Sequence, residues 1–344
     1  MSLNILLTSA GRRSYMVQYF KEALAGRGVV HAGNSAYSPA LQAADRAVIT
    51  PLIYDAGYID FLLDYCKTQD ISAIIPLFDI DVPILAKSRE LFTKESIRVV
   101  VSDYPVTVVC NDKWKTYTYL KKNKIPAPAT FSTLDSALAA VNDQTLAFPV
   151  IVKPRWGMGS IGVYSAADRE EMAVFYNKVK VEIGKTYLNF ESRHDLEQSV
   201  LVQEQIAGQE YGLDIVNDLQ GRYVATFVKR KKAMRSGETD IAVTENNPAI
   251  EAWGEEIGRR LGHVGNLDVD CFVREDHVWI LEMNCRFGGG YPFSHLAGAN
   301  IPLAIVHWLD GQKPGATLFK INYGVEGIKD MQPIVLKARN GGAA

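Results

Sequence analysis

The 344-residue sequence predicts an α/β fold: an N-terminal open parallel-sheet domain followed by two α+β lobes. Three observations carry that expectation. From Asn4 to Val101, short apolar strands alternate with helical patterns, the rhythm of a mostly parallel sheet. Beyond the proline-rich stretch Ile125-Pro126-Ala127-Pro128, strands come in neighbouring pairs joined by glycine turns. Finally, Asp270 to Gly290 reads as a hairpin turning at Arg274-Glu275-Asp276. Side chains alternate faces along a strand, so Glu282, Asn284 and Arg286, spaced by two, share one face, and a hairpin of this length brings Asp270 beside Glu282.

Composition narrows the function. A hydrophobic share of 47% and a net charge of -2 describe an ordinary globular protein with no general attraction for nucleic acid or an anionic membrane. No apolar run approaches the ~20 residues of a membrane span, and Met1-Ser2-Leu3 leads straight into a strand without a signal-peptide pattern. The four cysteines, Cys66, Cys110, Cys271 and Cys285, have neither metal-site spacing nor a disulfide framework. They read as reduced, mostly buried thiols of a cytoplasmic protein. No histidine is positioned by sequence to activate one of them as a nucleophile.

Taken in order, Asn4 to Thr8 is an apolar strand, followed by the turn Ser9-Ala10-Gly11-Arg12-Arg13 and a helix from Tyr15 to Ala25. Gly11 stands alone, so the G-x-G-x-x-G dinucleotide fingerprint is absent and a nicotinamide enzyme is disfavoured. Strands follow near Val29 to Gly33, Ala73 to Leu77 and Arg98 to Val101, with helices at Tyr58 to Thr68 and Val82 to Phe92. Asp79 and Asp81 follow the third strand, where open α/β sheets bind ligands; helix capping accounts for such acids equally well. A helix opens at Asn111-Asp112-Lys113, with Asn111 or Asp112 as its N-cap. Lys113 in the first turn opposes the helix dipole, which favours an anionic ligand there.

Val150 to Lys153 is a strand ending in a lysine. The loop after it holds Gly157, Gly159, Ser160 and Gly162. Such a loop can turn backbone N–H groups toward phosphate oxygens, although it is no Walker loop and a plain flexible hairpin has the same composition. A helix is expected from Arg169 to Ile183. Ser199 to Ile206 is a strand that breaks at Ala207-Gly208 and resumes at Gly212, a hinge-like connection. Tyr223 to Lys229 is a strand, the basic run to Asp240 a loop, and Ile241 to Thr244 a strand. Helices at Pro248 to Leu261 and Ile301 to Leu309 and a last strand near Tyr323 to Ile328 complete the chain. The oxygen-rich set Asp270, Glu282 and Asn284 suits Mg²⁺ carried by a nucleotide phosphate, and Arg286 suits a phosphoryl oxygen. By itself, the hairpin also fits a solvated strand end.

The order of these parts resembles the ATP-grasp superfamily, with the likeness strongest to the carbamoyl-phosphate synthetase large subunit and biotin carboxylase branch. The motifs are N-D-K-W-K-T-Y at 111–117, V-I-V-K-P and its glycine loop at 150–162, V-Q-E-Q-I-A-G-Q-E-Y at 202–211, Asp270, and E-M-N-C-R at 282–286. The resemblance implies three segments: a Rossmann-like domain at 1–110, a first ATP-grasp lobe at 111–202, and a second lobe at 203–344, with ATP sandwiched between the lobes. It implies that Lys113 and Lys153 contact ATP phosphates, and that Gly157, Gly159, Ser160 and Gly162 form the lid. Gln203, Glu204 and Ile206 would hold the adenine and Glu210 the ribose. Asp270, Glu282 and Asn284 would bind Mg²⁺, with Mn²⁺ a substitute, and Arg286 would stabilise the transferring phosphoryl group together with Lys153.

The implied activity is that of an ATP-dependent carboxylate–amine ligase working through an acyl phosphate on small-molecule substrates, compatible with a homodimer. A single cassette and no A-M-K-M motif argue against carbamoyl-phosphate-synthetase-like carboxyphosphate chemistry and biotin carboxylation. The complete set of lysines, acids and Arg286 favours an enzyme over a regulatory or degenerate ATP-binding protein. Substrate contacts are expected from Arg12, Arg235 and His295, with Lys232 and Thr239 nearby. Phe287 to Gly290 is expected to wall the acceptor pocket.

Overall fold

The computed structural model describes residues 3–193, 195–331 and 333–335. Met1, Ser2 and positions 336–344 of the third segment lie outside the described residues. The N-terminal part runs β1 (Asn4–Thr8), α1 (Ser14–Leu24), β2 (Val30–Asn34), α2 (Pro39–Ala43), β3 (Arg46–Ile49), α3 (Tyr58–Thr68), β4 (Ile71–Pro76), α4 (Asp81–Lys94) and β5 (Arg98–Val99). Its strands are all parallel, in the order β3-β2-β1-β4-β5.

Alternation along β1 explains the layering. Ile5 and Leu7 pack with Met16, Val17 and Phe20 of α1, whereas Leu6 packs on the other face with Tyr58, Leu62 and Phe92. The sequence reading missed β3, a four-residue edge strand that is mostly exposed. The strand order reverses between β1 and β4, so the β1–α1 turn and Asp79 flank a crevice at the carboxyl ends of the strands. Asp81 faces inward: its buried carboxylate accepts hydrogen bonds from Thr8 (2.6 Å), Ser9 (2.9 Å) and Tyr58 (2.9 Å), anchoring that turn.

Helices α5 (Tyr104–Asn111) and α6 (Lys113–Lys122) lead to a smaller lobe, made of β6 (Thr130–Phe131), α7 (Leu134–Asn142), β7 (Val150–Pro154), β8 (Tyr164–Ala166), α8 (Arg169–Gly184), α9 (Asn189–Ser192) and β9 (Val200–Glu204). Its antiparallel sheet, ordered β6-β9-β7-β8, has its own core of Val150, Val152, Met172, Tyr176, Val179 and Val202. The third part comprises β10 (Gln209–Asn217), β11 (Tyr223–Arg235), β12 (Glu238–Thr244), α10 (Pro248–Leu261), β13 (Gly265–Arg274), β14 (His277–Asn284), α11 (Tyr291–Leu296), α12 (Ile301–Leu309) and β15 (Glu326–Ile328). These strands form an antiparallel sheet in the order β14-β13-β10-β11-β12-β15.

One expectation is corrected here. The basic run is strand, not loop: β11 continues to Arg235 and β12 starts at Glu238. The charges are tolerated because acidic partners from other segments neutralise them. Arg230 pairs with Glu245 and Lys232 with Glu326, while Lys229 pairs with Asp214 and Lys231 with Glu210 and Asp270.

Helix α10 lies close on the large sheet because Gly254 and Gly258 present no side chain to it. A Cβ at Gly254 would come within 2.5 Å of the Thr226 side chain, and one at Gly258 within 2.7 Å of Tyr223. Gly254→Val is therefore expected to overpack this interface and cost about 1–3 kcal/mol, read as a lower unfolding midpoint. Gly184→Ala, with nothing within 4 Å of the added methyl, is the control and should be neutral or slightly stabilising.

Candidate functional site

The N-terminus of α6 is built by Asp112. Its side chain caps the helix through Trp114 N (3.0 Å) and Lys115 N (3.2 Å). The same buried carboxylate receives Arg155 in a fork, Nε at 2.8 Å and Nη2 at 2.7 Å. Arg155 directly follows β7, so this pair ties α6 to the root of the glycine loop. Lys113 Nζ then donates to Gly157 O (2.5 Å) and lies 3.5 Å from Glu282 Oε2. In the loop, Gly157, Gly159 and Gly162 have φ of 141°, 63° and 69°, and Ser160 is also left-handed at 57°, a path that glycine permits most readily.

Lys153, buried on β7, donates to Gln203 Oε1 on β9 (2.7 Å), and Gln203 Nε2 donates to Thr130 (2.8 Å). Burial, reinforced by the Lys113 ammonium and partly offset by Glu282, pushes Lys153 down to about 8. Burial also pulls the Glu282 carboxyl upward, but Lys113, Lys153, Lys231 and Arg286 outweigh that and hold it at about 2. Two lysines from different elements thus converge electrostatically on one ionised carboxylate beneath a glycine loop.

The hairpin has the anticipated register: Asp270 faces Glu282, and Asp268 faces Asn284. Arg286 follows β14 and is clamped by two acids. Its Nε and Nη2 reach Asp79 (2.8 and 2.9 Å), and its Nη1 reaches Asp268 (2.9 Å). Gly288 permits this packing, since a Cβ there would lie 2.0 Å from Asp268 Oδ1. Behind the clamp, Glu191 accepts from Asn111 (2.5 Å); burial raises its carboxyl to about 7 despite that bond.

Other sequence-based expectations fare differently. Glu204 points away from Gln203, its carboxylate accepting the Ala129 N–H (3.1 Å). Glu210 Oε1 is engaged by Lys231 (2.7 Å), and Ile206 is buried where β9 gives way to β10. Arg12 is exposed and makes no hydrogen bond or ion pair among the described residues. Arg13 turns inward instead, its Nη1 donating to Leu77 O and Phe287 O, both at 2.7 Å. Arg235 is paired with Asp240 (2.7 Å). His295 stacks on Tyr19, centroids 3.6 Å apart, and meets Tyr291 OH at 3.1 Å, a packing arrangement. Arg12, Arg235 and His295 therefore form no joint pocket by direct contact.

Lys231 and Asp268 escaped the sequence reading. Period-two spacing held the signal in both cases, Lys229-x-Lys231 and Asp268-x-Asp270, but the first was hidden by reading the basic run as a loop. The four cysteines are free and buried; burial pushes the Cys66 thiol up to about 12 and raises that of Cys271, which makes poor nucleophiles. Among the described residues, no helix is long and apolar enough to cross a membrane.

The sequence and the fold have counterparts in known proteins. Residues 5–100 match the family model "PylC-like, N-terminal domain", and residues 197–329 match "ATP-grasp in the biosynthetic pathway with Ter operon". The chain thus resembles the ATP-grasp superfamily. Within it, the chain is similar to the carbamoyl phosphate synthase large chain of Methanosphaerula palustris, with 22% identity over 307 residues, 85% of this chain and 28% of that protein. It spans about a quarter of the length of the curated relatives it matches. Two similar solved structures are the biotin carboxylase–β-γ-ATP complex from Campylobacter jejuni (TM-score 0.73, 16% identity, 93% of this chain and 73% of that one) and the L-amino acid ligase from Bacillus licheniformis (TM-score 0.69, 20% identity, 89% and 75%). At these identities the structural likeness establishes the fold.

Two outcomes follow from the geometry. Lys153 is cationic below about pH 8 and neutral above it, so ADP affinity, measured by calorimetry, should be highest below pH 8 and weaken towards pH 9.5. Lys153→Met should bind ADP weakly with a flatter profile across that window. Arg155→Met leaves the buried Asp112 carboxylate without its cation, a class of change that costs about 3–5 kcal/mol. It should lower the thermal midpoint and weaken ADP binding together.

Proposed function

We propose that the protein is an ATP-dependent carboxylate–amine ligase that works through an acyl phosphate. The observation that carries this reading is the convergence of Lys113 from α6 and Lys153 from β7 on Glu282 of β14, beneath the glycine loop and next to Arg286. Such a site is suited to polyanionic phosphate on one side and a reacting carboxylate on the other.

A carboxylate does not acylate an amine at neutral pH, because oxide is its leaving group. In the first step a substrate carboxylate oxygen attacks the γ-phosphorus of ATP, and the bond to ADP breaks. In the second step an amine attacks the acyl carbon, the bond to phosphate breaks, and the nitrogen loses a proton. Catalysis of this kind rests on holding anions together and offsetting their repulsion. Lys113 and Lys153 would do so at the phosphates, and Arg286 at the transferring group. Closure of the glycine loop would keep water from the acyl phosphate.

A Mg²⁺ ion at this site would need hard oxygen donors. Glu282 is kept ionised and Asn284 adds an amide oxygen, which fits a hard cation shared with phosphate oxygens. Asp270 is already engaged by Lys231, and among the described residues no group of three or more His, Cys, Asp or Glu side chains is arranged to hold a metal by itself. Bound there, Mg²⁺ would supply charge neutralisation at the phosphates.

The crevice around Arg286 supports a substrate bearing both signs of charge. Asp79, Asp268 and Glu238 stand near Arg13, Arg286 and Lys329, and Tyr15 lies within the electrostatic reach of four of these groups. An amino acid or a similar zwitterion is the substrate class that this mixture favours.

The test is Mg²⁺-dependent ADP release across pairs of amino acids, with a separate arm in which bicarbonate replaces the carboxylate substrate. Release requiring both a carboxylate and an amine is expected, and Arg286→Ala should lower kcat by about 10²–10³-fold. Release driven by bicarbonate would instead mean carboxyphosphate chemistry. ATP binding without turnover in any arm would leave a nucleotide-binding protein.

A further inference from the structure

Lys231 is a buried charge for which the mechanism above has no task. Its Nζ lies 2.6 Å from Asp270 Oδ1 and 2.7 Å from Glu210 Oε1, with 6% of the side chain exposed. The three residues stand on three strands. Lys231 is on β11, Glu210 on β10 beside it, and Asp270 on β13 at the far side of β10.

To reach Asp270, the lysine stem must cross β10, and it crosses at Gly212. That residue faces Asp270 in the β10–β13 register and Lys229 in the β10–β11 register. A Cβ at position 212 would lie 3.3 Å from Lys231 Cε and 3.7 Å from Asp270 Oδ1. A larger side chain would fill the passage. The lysine, the glycine and the two carboxylates therefore form one built arrangement. Neighbouring Lys229 differs, being closed off by Asp214 (2.5 Å) and Ser294 (3.1 Å) inside the sheet layer.

The geometry points to Lys231 as a resident counter-ion that takes the place of one divalent metal. Asp270 is committed to an ammonium, and the nucleotide phosphates are served by a single Mg²⁺ on Glu282 and Asn284. This inference rests on the nucleotide site proposed above. A second dication on Asp270 would have to share a carboxylate with a cation already within hydrogen-bond distance of it. An ammonium supplies one positive charge and three donors. Two of these serve Asp270 and Glu210, which leaves one for a phosphate or substrate oxygen.

The test counts ions on the full chain. Mn²⁺ binding is titrated by electron paramagnetic resonance with ADP at saturation, and bound ADP is measured in parallel. One Mn²⁺ per bound ADP is expected for the native protein and for Lys231→Arg. Two are expected for Lys231→Met, in which Asp270 and Glu210 are released; Lys231→Gln, neutral but still able to donate, serves the same purpose if the methionine variant does not fold. Two Mn²⁺ per ADP on the native protein would overturn the inference alone, as would one Mn²⁺ on either neutral variant with ADP still bound. Failure of the native protein to bind ADP would overturn the nucleotide reading and this inference with it.

Discussion

The clamp on Arg286 is the constraint on which the site depends. One of its acids, Asp79, belongs to the crevice of the N-terminal parallel sheet; the other, Asp268, belongs to the large antiparallel sheet. The guanidinium is buried, with 8% of the side chain exposed, and a buried cation is tolerated only when its partners are well placed. Two carboxylates fix its plane and, through it, the distance between the two sheets. Arg13 repeats the connection with neutral acceptors, joining Leu77 after β4 to Phe287 after Arg286. The reactive end of the crevice is therefore assembled from both bodies, and neither sheet alone would hold Arg286 in this orientation.

The rest of the site follows the same logic of charges removed from water in balanced groups. Lys113, Lys153 and Lys231 face Glu282, Asp270 and Glu210, while Arg155 faces Asp112. Low dielectric strengthens each attraction, and it equally penalises any partner left alone. Glycine makes the approaches possible in two places: Gly212 opens the path for Lys231, and Gly288 admits the Asp268 carboxylate. Ligand charge entering such a site redistributes these pairings rather than adding to an empty surface.

Local pattern made much of this legible. The strand–helix rhythm of the first domain, the glycine loop between two strands, the Asp112 cap and the Asp270–Glu282 register all follow from spacing within a few residues. What escaped was decided by distant partners. The run from Lys229 to Lys232 reads as a solvated loop until Asp214, Glu245, Glu210 and Glu326, lying elsewhere in the chain, neutralise it. Arg12 and Arg13 are chemically equivalent neighbours in the sequence, and only the path of the β1–α1 turn, fixed in part by the Asp81 hydrogen bonds, turns the second inward. His295 has the chemistry of a site residue, but Tyr19 and Tyr291 occupy it as a packing surface.

The glycine loop joins the two sides of the site. Its tip rests on the turn between β11 and β12, where a Cβ on Gly237 would lie 2.3 Å from the carbonyl carbon of Gly159. Gly237, with φ of 76°, thus combines a backbone conformation that disfavours side chains with a contact that excludes them. The same hairpin carries Glu238, which pairs with Lys329 at the edge of the Arg286 crevice (3.2 Å), and, deeper in the sheet, Lys231. The glycine loop thus leans on the hairpin that also borders the Arg286 crevice. Its position therefore depends on that hairpin, and a change in either the loop or the β11–β12 turn is felt by the other.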